Sequence, residues 1–237
     1  ALADQSVVAK MENLRNELTD VRLILSVERL DFTKGIIEKL VAYERMLDEH
    51  PELLTKVTLI VVCVPAAAGM TIYEELQSQI EQTVGRINGH FAQVGWTPVQ
   101  FFFRALPFED LVAYYAVADV MWITPLRDGL NLVSKEYVAT QGLTNGSGVL
   151  VLSEFAGAAA ELRGAILANP HHPQELADTC YYALTISQSE AKNRLNEAFE
   201  IVCRYDIEYW GQEFIEAVEK RREIKLKKIL PLDDWVD

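Results

Sequence analysis

Two cationic side chains, Arg29 and Lys34, stand in the segment SVERLDFTKG (26–35), between an apolar strand-like run and a helical stretch that Gly35 helps to start. An arginine can grip two oxygens of a phosphate, and a lysine supplies a compact charge. The N–H groups of a helix start add a favourable field for anions. Together these features suit a pyrophosphate. A plainer arrangement fits the same residues, with Arg29 paired to Asp31 and Lys34 solvated at the surface. The second segment rich in chemistry is TPLRDGLNLVSKEYVATQ (124–141). Asp128 stands where it can cap a helix. Gly129 carries no side chain, so the N–H groups of Gly129, Leu130, Asn131 and Leu132 can approach a ligand. Glu136 follows eight residues after Asp128. On one continuous helix that spacing separates the carboxylates by roughly 12 Å along the axis. One acid would then hold sugar hydroxyls and the other ribose hydroxyls, with a diphosphate between them. The alternative is a capping aspartate and a surface glutamate paired with Lys135 or another cation.

Other segments carry weaker signals. SEFAGAAAEL (153–162) reads as a tight Ala-rich helix, with Glu154 its one candidate for a site role. His171 and His172 sit in a Pro-bounded loop without ligand-spaced partners, which reads as a surface turn and not a metal site. The sequence contains no H-E-x-x-H, G-x-S-x-G or G-x-x-x-x-G-K-[ST] motif. It also lacks G-x-G-x-x-G, which weakens a nicotinamide reading. Phe101–Phe103 reads as core strand, and Trp96, Trp122 and Trp210 as core or domain-contact residues.

The elements that must position these residues alternate along the chain. Strand-like runs at 22–27, 57–64, 99–103, 120–124, 148–153 and 165–170 are separated by helix-like stretches at 35–50, 70–87, 107–117 and 129–141. A further Ala-rich helix is expected from Phe155, then helices at 173–186, 190–204 and 207–222, and a tail over 223–237. Continuous apolar strands alternating with helices predict an α/β fold, a doubly wound parallel sheet covered on both faces. In such a sheet ligands bind beyond the carboxyl ends of the strands, where the two segments above lie.

Composition agrees with one large α/β domain: 237 residues, 50% of them hydrophobic, without low-complexity tracts. The net charge of −13 makes binding to nucleic acid or to an anionic membrane unfavourable. Any phosphate site must therefore be a local cationic spot on an acidic body. Three cysteines without a C-x-x-C pair fit reduced thiols in a cytoplasmic protein. No signal peptide or membrane-spanning run is visible, and the chain opens without Met, as a fragment of a longer protein would.

Taken in order, RLDFTKG (29–35), GRINGHF (85–91), GWTPV (95–99), TPLRDGLNLVSKEYVA (124–139) and VLVLSEFAGAAAEL (149–162) resemble the trehalose-6-phosphate synthase family of retaining glycosyltransferases. The resemblance runs from about Val21 to Phe214 and is closest in detail to the glucosylglycerol-phosphate synthases. It implies a GT-B enzyme of two Rossmann-like domains, of which this chain would be the C-terminal, nucleotide-sugar-binding one; the acceptor-binding N-terminal domain would be absent. The resemblance also implies that Arg29 and Lys34 neutralise the donor pyrophosphate. Asp128 and the backbone at Gly129, Leu130, Asn131 and Leu132 would hold sugar and phosphates, and Glu136 the ribose. No cofactor or metal is expected.

One departure bears on the acceptor. Trehalose-6-phosphate synthases usually carry an arginine in the loop after the second strand, directed at glucose 6-phosphate. Here that loop reads VPAAAGM (64–70), with Ala67 and Ala68 and no arginine. The expected acceptor is therefore glycerol 3-phosphate, giving glucosylglycerol phosphate, a compatible solute. Trehalose 6-phosphate synthesis and a non-catalytic nucleotide-sugar-binding module are the alternatives. The donor is ADP-glucose or UDP-glucose.

Overall fold

The computed structural model describes residues 2, 4–66 and 71–229. Six strands form one sheet: β1 (Arg22–Arg29), β2 (Val57–Val64), β3 (Val99–Phe102), β4 (Val120–Ile123), β5 (Val149–Ser153) and β6 (Ile166–Ala168). All neighbouring pairs are parallel, in the order β3-β2-β1-β4-β5-β6. Parallel strands need crossovers, and helices supply four of them: α2 (Ile36–Glu49), α3 (Thr71–Phe91), α4 (Phe108–Val117) and α5 (Leu132–Leu143); the fifth, from β5 to β6, carries only a 3₁₀ turn, and α6 (Pro173–Thr185) follows β6. Helix α1 (Gln5–Glu17) precedes the sheet, while α7 (Gln188–Arg204) and α8 (Ile207–Ile229) follow it.

The central strands are largely apolar because helices cover both faces of the sheet. On one face Leu40, Tyr43, Met46 and Leu47 of α2, Ile80 and Ile87 of α3, and Leu176 and Cys180 of α6 pack against Ile24, Leu59, Val61 and Trp122. On the other, Tyr115 of α4, Tyr137 and Val138 of α5, and Leu195 and Ala198 of α7 pack against Leu23, Leu25, Ile60 and Met121. Trp122 is fully buried, and Trp96 is buried with its indole N–H donating to the Val57 carbonyl at 3.0 Å. Trp210 on α8 is instead exposed and is not a core residue.

Three expected boundaries are corrected. The Ala-rich segment after β5 is a single 3₁₀ turn, Gly157–Ala160, and not a helix. Its backbone bonds to the loop after β4: Asp128 N–H donates to Phe155 O, Gly157 N–H to Asp128 O and Ala158 N–H to Leu130 O. These three tertiary bonds outcompete the helix propensity of alanine, a weak local preference. Helix α5 begins at Leu132, not at Gly129. Helix α8 continues to Ile229, carried through the presumed start of the tail by a run of good helix formers. Residues Ala67–Met70 of the acceptor-related loop, and 230–237 of the tail, lie outside the described residues.

Candidate functional site

The strand order reverses between β1 and β4, so the segments that follow these two strands leave the sheet side by side. Arg29 is the last residue of β1, exposed, and without a partner among the described residues. Asp31 does not pair with it. The Asp31 carboxylate accepts from Thr33 N–H at 2.8 Å and from the Thr33 hydroxyl at 2.7 Å, capping the 3₁₀ turn Phe32–Lys34. Gly35 then turns the chain into α2 with φ 65°. A Cβ there would lie 2.7 Å from the Thr124 carbonyl oxygen, so both the conformation and the close approach to the end of β4 require glycine. The two segments are tied further by Leu126 N–H and Arg127 N–H, which donate to Thr33 O at 2.7 and 3.3 Å.

The segment after β4 stays irregular through Asn131. Asn131 takes φ 71°, uncommon for a residue with a side chain. Its carboxamide works in both directions: the oxygen caps Ser134 N–H at 2.9 Å, and the nitrogen donates to Asp128 at 3.2 Å. Asn131, and not Asp128, is therefore the N-cap of α5. Asp128 instead accepts from Lys34 Nζ at 2.7 Å and from Leu130 N–H at 3.3 Å. Because 128–131 is not helical, the 12 Å axial spacing expected between Asp128 and Glu136 does not apply. Among the described residues, the N–H groups of Gly129, Asn131, Leu132 and Val133 meet no acceptor. Four unused donors at a helix start are a seat for an anion.

Arg29, Lys34, Asp128, Leu130, Asn131 and Leu132 line one cleft of about 290 Å³, together with Val27, Glu28 and Val133. Gly129 adjoins this cleft without lining it. Glu136 stands apart on α5, where it accepts from the Tyr115 hydroxyl at 3.1 Å; Lys135 pairs with Glu161 at 2.5 Å and not with Glu136. Burial raises the Tyr115 hydroxyl above its ordinary value, and the Glu136 charge raises it further, so it stays protonated and donates. Glu154 is exposed and does not line the cleft. His172 Nδ1 accepts from Glu175 N–H and caps α6.

Lys34 is not a free cation as read from the sequence. Its ammonium is matched by Asp128, with 15% and 16% of the two side chains exposed. Burial would raise the Asp128 carboxyl, but the bond from Lys34, those from Leu130 and Asn131, and the Lys34 charge together leave it below its ordinary value of 3.8. A carboxyl depressed in the native state adds stability above its unfolded value and loses it as pH falls through the native one. The unfolding free-energy difference between wild type and Asp128→Asn should thus stay level above about pH 5 and shrink below about pH 4. Urea titrations across that range measure it.

Sequence reasoning missed the layer beneath this cleft. Lys39, fully buried on α2, donates to Ser26 Oγ at 2.7 Å and forms an ion pair with the buried Glu28. The available signal was a lysine on the apolar stripe of α2, facing a strand interrupted by serine and glutamate.

Comparison with known proteins follows the same lines. The family model described as glycosyltransferase family 20 matches residues 1–220. A glucosylglycerol-phosphate synthase of Pseudomonas anguilliseptica is 68% identical over 195 residues, 82% of this chain and 26% of that protein. Another, from Picosynechococcus, is 47% identical over 206 residues, 87% of this chain and 41% of that protein. Among solved structures, the trehalose-6-phosphate synthase of E. coli bound with UDP-2-fluoro glucose superposes with a TM-score of 0.84 at 40% identity, over 88% of this chain and 46% of that one. The chain thus spans between about a quarter and a half of the length of these relatives. A six-stranded parallel sheet, the family model over almost the whole chain and these identities agree on one conclusion: the chain belongs to glycosyltransferase family 20.

Proposed function

We propose that this chain is the donor-binding half of a retaining glucosyltransferase that moves glucose from a nucleotide-glucose to glycerol 3-phosphate. The observation that carries the reading is the cleft at the β1/β4 switch point. There a guanidinium without a partner among the described residues, a lysine shared with Asp128, and the N–H groups of Asn131, Leu132 and Val133, unused among the described residues, lie together where a diphosphate would rest. Breaking the anomeric C–O bond leaves growing negative charge on that diphosphate. Fixed donors stabilise the charge more in the transition state than in the ground state. Arg29, Lys34 and the unused N–H groups of Gly129, Asn131 and Leu132 take this role, with no metal ion required by the scheme. Asp128, with only part of its capacity used by Lys34, Leu130 and Asn131, holds sugar hydroxyls. Glu136, fixed by Tyr115, takes the ribose. The acceptor attacks on the face from which the leaving group departs.

The choice of acceptor is supported by the names of the relatives at 68% and 47% identity, both glucosylglycerol-phosphate synthases. Trehalose 6-phosphate synthesis is the second reading, favoured by the structural likeness to trehalose-6-phosphate synthases. The full-length protein would supply the acceptor side of the cleft through a further, N-terminal domain. The test feeds that protein ADP-glucose or UDP-glucose with glycerol 3-phosphate and, separately, with glucose 6-phosphate. The expected result is glucosylglycerol phosphate from the first acceptor and little product from the second. Preference for glucose 6-phosphate would transfer the assignment to the second reading. No product with any pair, from a folded sample that also gives no binding heat with either nucleotide sugar, would favour a non-catalytic role.

A further inference from the structure

Lys39, Glu28 and Ser26 form a charged cluster buried between β1 and α2. A buried ion pair is costly to desolvate, and replacing it by neutral residues of similar volume is often harmless to stability. Its presence directly under the site therefore calls for another explanation. Two polar atoms sharpen the point. Glu28 Oε2 and Thr124 Oγ1 are both buried with no hydrogen-bond partner among the described residues. The β1–β4 register pairs Ile24 with Val120 and Leu25 with Met121. Continued along the strands, it sets Glu28 beside Thr124 on the same face as Ser26 and Trp122. The next residue after Glu28 is Arg29, and four residues after Thr124 comes Asp128. Thr124 also presents its carbonyl to Gly35.

We propose that Glu28, gripped from α2 by Lys39, is a positioning residue for the donor site, with the Thr124 hydroxyl donating to its second oxygen directly or through one water. The cluster anchors the ends of β1 and β4 from beneath and so sets the spacing between Arg29 and the Asp128 segment. Lys39 neutralises Glu28, which keeps a carboxylate from repelling a diphosphate above it. Neither Glu28 nor Lys39 need touch the reacting atoms. The inference rests on the donor-site reading given above.

The test uses the full-length protein and two nucleotide sugars, ADP-glucose and UDP-glucose, with donor Kd, KM, kcat and thermal midpoint measured together. The double variant Glu28→Gln/Lys39→Met removes both charges at similar volume. The expected result is a midpoint held or raised, with donor Kd and KM raised by about 10- to 100-fold, the size of effect a small misplacement of binding groups produces. A folded double variant with unchanged donor Kd and KM would overturn the proposal. Should the double variant fail to fold, Thr124→Val decides in its place: a weaker donor Kd at an unchanged midpoint supports the anchor, and an unchanged Kd overturns it. Arg29→Ala separates the two levels of the argument. If it too leaves donor affinity intact, the donor-site reading itself fails. If it weakens binding while the double variant does not, only the positioning role fails.

Discussion

Alanine at Arg29 or at Lys34, placed in the full-length protein, is expected to lower kcat/KM for the nucleotide-glucose donor by about 10²–10³-fold. In the proposed reaction, each removes a cationic donor from a site that receives charge leaving the sugar. The two variants should differ in a second respect. Arg29 is exposed and has no partner among the described residues, so its loss leaves nothing stranded, and the thermal midpoint should hold. Lys34 is the ion-pair partner of Asp128, whose side chain is only 16% exposed. Removing it leaves a mostly buried carboxylate with fewer donors, so the midpoint should fall as well. Steady-state kinetics with differential scanning calorimetry would show this split. Near-normal rates in both variants would remove the pyrophosphate assignment.

The second large effect is expected from a residue with no role in contacting ligand. A Cβ added at Gly157 would stand 2.1 Å from the Gly129 carbonyl oxygen, backbone against side chain with no flexible group to yield. Gly157→Ala must push the segment after β4 away from the turn after β5. The three backbone bonds that stitch these segments together would be strained or lost. A stability loss of about 1–3 kcal/mol is expected from such overpacking, with donor affinity down by at least about tenfold because the N–H groups at the start of α5 move with their segment. Thermal unfolding and calorimetric titration measure the two effects. Gly129→Ala is the informative contrast, since a Cβ there meets nothing within 4 Å and the midpoint should be unchanged.

These two residues also show how far the sequence could be read. The six strands and their parallel arrangement were legible because each strand is a short, continuous apolar run between helical stretches, and burial on both faces leaves that mark. Arg29, Lys34 and Asp128 were legible as site candidates because they stand at or just beyond the carboxyl ends of strands, where an α/β sheet opens. The Ala-rich segment at Gly157 was misread because propensity is local, whereas its conformation is fixed by bonds to residues nearly thirty positions earlier. The capping role given to Asp128 belongs to Asn131, since only a left-handed asparagine both turns the chain and caps Ser134. Pairings across the sequence, such as Lys34 with Asp128, Tyr115 with Glu136 and Lys39 with Glu28, leave no periodic trace and become visible only in three dimensions.

The order of the strands has a mechanical corollary. Within the sheet, β1, β2 and β3 form one ribbon, β4, β5 and β6 another, and the junction between them is the short β1–β4 ladder, whose register joins just two residue pairs. The cleft lies across the open end of that junction, with Arg29 contributed by one ribbon and Asp128 by the other. A molecule seated there would act as a suture, adding cross-links where the fabric has fewest threads. Occupancy and cohesion would then rise together, and if the proposed donor is the occupant, a cell rich in sugar nucleotide would hold this domain in a tighter weave than a starved one.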